Sequence, residues 1–265
     1  MMNIHEFYSD PNEQPLDRMV SDGGFCGIFR TVGCIGDSLA SGELESLDDQ
    51  GKKGYHDLYD YSWGQYLARM CGSRAINFSR GGMTAKVFWE SFGESCGCWA
   101  QENVCQAYII ALGVNDQKGI ATGSAADIDT EHPENCKETF AGYLGRIILR
   151  LKSMQPKARF FLVTRPNEET DAERRAHIVN HRRLMHELAA LFDYTYVIDL
   201  LEYGPVYDAE FKRVFFLGGH MNPAGYLLTA RMFASYIDYI IRHTPADFTQ
   251  IGFVGTPYHN VSYKW

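Results

Sequence analysis

Ser38 and His220 are the two residues whose chemistry is worth pairing first. A serine hydroxyl becomes a useful nucleophile only when a nearby base takes its proton. Ser38 stands in Gly36-Asp37-Ser38, directly after the apolar run from Ile28 to Ile35. A strand turning into a helix at that point would expose the hydroxyl close to free N–H groups. His220 lies in the glycine-rich stretch Leu217-Gly218-Gly219-His220-Met221-Asn222-Pro223, ahead of a helical pattern. Such a loop can carry an imidazole to the end of a sheet. Acyl transfer also needs donors preset for the developing oxyanion. The backbone N–H of Ser38, the N–H of Gly82 and the side-chain amide of Asn115 are the candidates. Each feature taken alone has a plainer reading: a helix cap at Asp37-Ser38, a turn at Gly81-Gly82, a strand-end cap at Asn115-Asp116, a turn or cap at His220.

These residues gain weight from the elements that must position them. Short apolar runs at Ile28–Ile35, Ala75–Phe78, Gln106–Leu112, Arg159–Thr164 and Tyr194–Leu200 predict strands. Longer amphipathic stretches at Ser62–Met70, Glu138–Met154, Asp171–Phe192 and Asn222–Arg242 predict helices, with Phe140, Leu144, Ile147, Ile148 and Leu151 on one face of the second. Ser62 and Gly72 fit an N-cap and a C-terminal stop, and Pro223 suits a first helical turn. Strands alternating with helices predict a parallel α/β sheet covered on both faces. Ligands bind such sheets beyond the C-terminal strand ends. Ser38, Gly82 and Asn115 each follow a predicted strand, so the three converge on one crevice.

Taken together, four segments resemble the SGNH (GDSL-type) hydrolase family. They are Ile35-Gly36-Asp37-Ser38-Leu39, Asn77-Phe78-Ser79-Arg80-Gly81-Gly82-Met83-Thr84, Leu112-Gly113-Val114-Asn115-Asp116 and His220-Met221-Asn222-Pro223-Ala224-Gly225-Tyr226. The resemblance spans about residues 28 to 242. It implies a three-layer α/β/α sandwich on a five-stranded parallel, flavodoxin-like sheet. It also implies a serine esterase with Ser38 as nucleophile, His220 as base and Ser38, Gly82 and Asn115 as the oxyanion hole. The α/β-hydrolase alternative fits less well, because its nucleophile sits in G-x-S-x-G and here the segment is Gly36-Asp37-Ser38-Leu39-Ala40. The expected substrate is a small ester, an acetyl or short acyl group on a sugar or lipid, with no metal or organic cofactor.

One position departs from the family pattern. Three residues before the histidine the family usually carries an aspartate, and here stands Leu217. Leucine cannot accept from the imidazole N–H, fix its tautomer or stabilise the imidazolium. Three readings stay open: a backbone carbonyl near Phe215 to Gly218 takes the N–H; a carboxylate arrives from elsewhere, with Asp208 and Asp199 nearest in sequence; or the site has decayed into a binding module. An acyltransferase using the same residues is the remaining variant.

The bulk properties bound these readings. At 265 residues the chain suits a single domain, with a core at 28–242, an N-terminal extension 1–27 and an aromatic tail 243–265 packed on it or on a second subunit. A formal net charge of −8 disfavours nucleic acid as a partner. No long apolar run predicts membrane insertion, and no leader is apparent, so a cytoplasmic location is expected. A homo-oligomer stays open. Seven scattered cysteines read as reduced thiols, and Cys96-Gly97-Cys98 lacks a second pair at zinc-site spacing. His177, His181 and His186 are expected on a solvated helix face. Phe88, Trp89, Phe92 and Trp99 either wall a pocket or pack locally. The loops Ser41–Asp60 and Gln117–Pro133 are expected to shape access to the site.

Overall fold

The computed structural model describes Ile4 and residues 8–258. Strand β1 (Thr31–Gly36) leads into a one-turn helix, α1 (Ser38–Ser41), then a hairpin of β2 (Glu43–Leu47) and β3 (Lys53–Asp57). Helix α2 (Trp63–Cys71), β4 (Arg74–Ser79) and β5 (Ala107–Ala111) follow, then α3 (Phe140–Met154), β6 (Arg159–Val163), α4 (Ala172–Leu191) and β7 (Thr195–Ile198). The chain continues through α5 (Ala209–Phe215) and the two-residue strands β8 (Phe216–Leu217) and β9 (His220–Met221). It then enters α6 (Pro223–His243).

The central sheet has the order β4-β1-β5-β6-β7, with every pairing parallel. Chain direction across the sheet reverses at β1: β4 pairs on one side of it and β5 on the other. That makes the end of β1 a topological switch point, where open α/β sheets form a crevice. Ser38 follows it by two residues.

Period-two alternation sorts the strand residues into two cores. Ile109 and Phe161 pack with Trp63 and Leu67 of α2 and Phe233 and Ile237 of α6. Ile110, Phe160 and Leu162 pack with Leu144 and Ile148 of α3 and Leu184 and Leu188 of α4. All of these side chains are buried. Each contributes roughly 1.5–3 kcal/mol by leaving water, so the two cores, rather than any polar contact, hold the sheet between its helices.

The helices begin where their caps dictate. Ser62 accepts from the Gln65 N–H at 3.2 Å, Asp171 from Arg174 at 2.8 Å and Asn222 from Gly225 at 2.9 Å, with Pro223 in the first turn of α6. Strand β7 is shorter than its apolar run predicts. Tyr194 adopts φ 54° before it, and Asp199 caps the short helical turn that follows.

Two segments differ from expectation. The stretch from Ser41 to Asp60, read as a loop, holds the β2–β3 hairpin. The aromatic tail packs in part: Phe248 is buried against Phe29 and Tyr196, whereas Tyr258 is exposed. Tyr263 and Trp265 lie outside the described residues. The N-terminal extension is tied to α6, since Arg242 pairs with Glu13 and Asp238, and the Val20 N–H donates to Ser235. All seven cysteines are free thiols.

Candidate active site

The turn out of β1 is built to expose Ser38. A Cβ on Gly36 would come within 2.9 Å of the Ala111 carbonyl oxygen and 2.5 Å of the Ala40 Cβ, so only glycine fits between β5 and α1. Asp37 is buried and caps α1 by accepting from the Leu39 N–H at 3.1 Å. Burial pushes its carboxyl up to about 6. Ser38 is therefore the first helical residue, half-buried at the head of α1.

The other strand ends meet it. The Asn115 amide donates to the Met83 carbonyl at 3.1 Å and makes a long contact of 3.5 Å with Asp37 Oδ2. One side chain thus ties the turn after β5 to those after β4 and β1. Gly82 has φ 72°, and nothing within 4 Å faces its Cα where a side chain would stand. Asp116, beside Asn115, is buried and accepts from the Ala85 N–H at 2.9 Å, and burial pushes its carboxyl to about 7.

His220 opens β9, in the tight β8–β9 hairpin where it pairs with Leu217. Its Nδ1 lies 2.9 Å from Glu45 Oε1. Asp208 caps α5 through the Phe211 N–H. Asp199 is fully buried between Thr164, Arg182 and His186. Neither is a partner of His220, and no backbone carbonyl of the hairpin takes the Nδ1 position. The carboxylate that sequence reasoning missed comes from β2. Its signal was present: Glu43-Leu44-Glu45 alternates, and Asp48-Asp49-Gln50-Gly51 marks a turn before Lys53–Asp57.

Residues two apart share one face of a strand, so β2 presents two carboxylates to the ring. Glu43 Oε1 sits 2.9 Å from His220 Nε2. Burial opposes ionisation of Glu45, but hydrogen bonds from His220, Lys53 and the Gly219 N–H outweigh it and hold the carboxyl down at about 2. Glu43 shifts the other way, raised chiefly by burial. The ring thus lies between one firmly ionised carboxylate and one more easily protonated. Tyr55 of β3 packs edge-on against it at 5.9 Å. Leu217, at the position where the family usually carries its acid, is 52% exposed.

Ser38, Asn115 and His220 line one cavity of about 350 Å³, together with Asp37, Val114, Arg165, Phe216, Gly218 and Gly219. Gly82 is not among its lining residues. The Gln117–Pro133 segment, expected to shape access, supplies no wall either. Pro166, Glu168, Arg174, Tyr207 and Lys212 do so instead. Phe88, Trp89, Phe92 and Trp99 pack against one another beside α3 and are absent from this cavity. His181 is not on a solvated face: it is buried, stacks on Phe140 and bonds the Leu112 carbonyl through Nε2 at 2.9 Å. Burial lowers it to about 4, which keeps it neutral. Among the described residues no group of three or more His, Cys, Asp or Glu side chains is arranged to hold a metal. No helix among them is long and apolar enough to cross a membrane.

The covered parallel sheet thus carries a serine at its switch point and, on the same cavity, a carboxylate-held histidine. The profile of the GDSL-like lipase/acylhydrolase family matches residues 34–228, and the chain belongs to that family. Among solved structures it is similar to a family two carbohydrate esterase from Clostridium thermocellum, with 14% identity and a TM-score of 0.54 over 82% of this chain and 65% of that one. It is also similar to a possible lipase from Chitinophaga pinensis, with 17% identity and a TM-score of 0.54 over 81% and 98%. A third relative is the Clostridium thermocellum family 3 carbohydrate esterase, with 13% identity and a TM-score of 0.51 over 80% and 97%. At these identities the likeness establishes the shared fold. No curated protein matches the chain.

Proposed function

We propose that the protein hydrolyses carboxylic esters through an acyl-enzyme on Ser38. The observation that carries this reading is that Ser38, Asn115 and His220 line one cavity while Glu45 holds His220 Nδ1. Glu45 fixes the tautomer that leaves Nε2 as the basic nitrogen and stabilises the imidazolium once it forms. His220 takes the Ser38 proton as the oxygen attacks the acyl carbon, then gives it to the leaving alcohol. Water repeats the sequence in reverse and frees the acid. The N–H groups of Ser38 and Gly82 and the Asn115 amide receive the oxyanion, the long Asn115–Asp37 contact being the one it replaces. Glu43 occupies Nε2 in this conformation and gives way when the substrate brings Ser38 and His220 together.

The cavity is small and suits a short acyl group, acetyl or a few carbons longer, on a sugar or lipid alcohol. The carbohydrate esterases that share the fold favour the sugar among these. The test is p-nitrophenyl acetate hydrolysis by the wild type beside Ser38→Ala. The expected result is a loss of at least about 10³-fold in kcat. Equal rates in the two proteins would remove Ser38 from the chemistry.

A further inference from the structure

This inference rests on the hydrolase reading and concerns the substrate. Arg165 follows β6, and its side chain is only 3% exposed. Its Nη2 donates to Glu168 Oε1 at 2.8 Å, while Nε and Nη1 have no protein partner. Glu168 is itself held by Arg174 through two bonds of 3.0 Å. One carboxylate therefore answers two guanidinium groups. Lys212 lies on the same cavity wall and forms no ion pair among the described residues. The other acid of that lining, Asp37, is buried and engaged in capping α1 through the Leu39 N–H. Buried guanidinium groups are held where something completes their hydrogen bonds. Arg165 lines three adjoining cavities. The first, of about 70 Å³, is mostly apolar, and the second, of about 10 Å³, has room for little beyond water. The third is the cavity of about 350 Å³ that Ser38 and His220 also line, the one with room for a ligand.

We propose that the substrate is an ester bearing a carboxylate or a similar monoanion, and that Arg165 binds that group inside the Ser38 cavity. The anion pairs with the Arg165 guanidinium where it borders this cavity, with Lys212 and Arg174 adding to the positive field around it. Arg165 is a substrate-binding residue in this account and takes no part in bond making.

Two pairs of esters test it, one with the charge in the alcohol and one with it in the acyl part. They are 4-acetoxybenzoate against 4-acetoxybenzamide, and monomethyl against dimethyl glutarate. The wild type should favour the anion in at least one pair by about tenfold or more in kcat/KM, as a charge-assisted bond implies. Arg165→Met should erase that preference, lowering kcat/KM for the anion by about tenfold or more beyond any change for the neutral ester. Preference for the neutral member in both pairs overturns the proposal. An equal loss for both members in Arg165→Met also overturns it, because the residue would then be structural. Should Arg165→Met not fold, calorimetry on the wild type decides: glutarate binding about tenfold or more tighter than glutaramide supports the site, and equal binding overturns it. If no ester, p-nitrophenyl acetate included, is turned over, the hydrolase reading fails, and the same calorimetric comparison still decides on Arg165.

Discussion

Glu45 meets His220 Nδ1 from β2, whereas the family pattern would place the acceptor at position 217, which here is leucine. The imidazole needs an acceptor at Nδ1, and geometry rather than chain position determines which carboxylate serves. Glu45→Gln should lower kcat by about 10²-fold or more with little change in KM, since it removes transition-state stabilisation and not binding. Leu217→Asp should leave the rate within about twofold, because the partner already exists and the new side chain starts from an exposed position. Comparing kcat for the two variants against wild type checks both statements; a large gain in Leu217→Asp would remove Glu45 from its role. Asp116 carries a prediction about pH. Its folded carboxyl, raised to about 7 by burial, keeps its proton where the unfolded chain has lost it. Stability from this group is therefore full below pH 4 and falls as pH rises to about 7. Asp116→Asn should gain on the wild type across that window, by roughly 2–4 kcal/mol at pH 8 relative to pH 4. Melting curves of both proteins from pH 4 to 8 read the difference, and a constant offset would contradict it.

The two hairpins are the elements on which the site turns. The β8–β9 turn brings His220 over β2 through Gly218, at φ 70°, and Gly219. A Cβ on Gly218 would lie 2.1 Å from Glu45 Oε2. Gly218→Ala should therefore push Glu45 off the imidazole and add αL strain to the turn. We expect kcat to fall at least about tenfold, with a melting temperature only a few degrees lower, because the turn is exposed and outside both cores. Kinetics alongside thermal melting separate the two effects. An unchanged kcat would show that the hairpin holds His220 without that close approach.

Across the whole molecule, the extension before β1 is fastened to the helix that follows the site. Arg242 is buried with Asp238, which also accepts from the Phe25 N–H, and pairs with the partly buried Glu13. Removing the cation leaves two carboxylates without their partner. Arg242→Met should cost about 3–5 kcal/mol. Its distance along α6 from Pro223 is ~29 Å, so the specific activity of the folded protein should be unchanged. Denaturant titration and assays at 20 °C below the melting point check the two halves. A stable variant with impaired turnover would instead couple this strap to the site.

Much was legible in local sequence. The strand runs, the cap at Ser62 and the first-turn proline at position 223 depend on neighbours within a few residues, so periodicity and cap chemistry suffice to read them. The segments carrying Ser38, Gly82, Asn115 and His220 were legible for the same reason, each being a short turn at a strand or helix end. The pairing of His220 with Glu45 was not, because 175 positions separate the two residues and only the crossing of two hairpins brings them together. His181 and Arg165 were misread or passed over on similar grounds, since a polar residue shows its burial only once the helix or strand end carrying it has been packed. Sequence alone thus determined which local structures form and which reactive groups stand at their ends. Tertiary structure decided which carboxylate meets the imidazole and which cation is enclosed with the serine, because long-range packing, not spacing along the chain, brings those charges together.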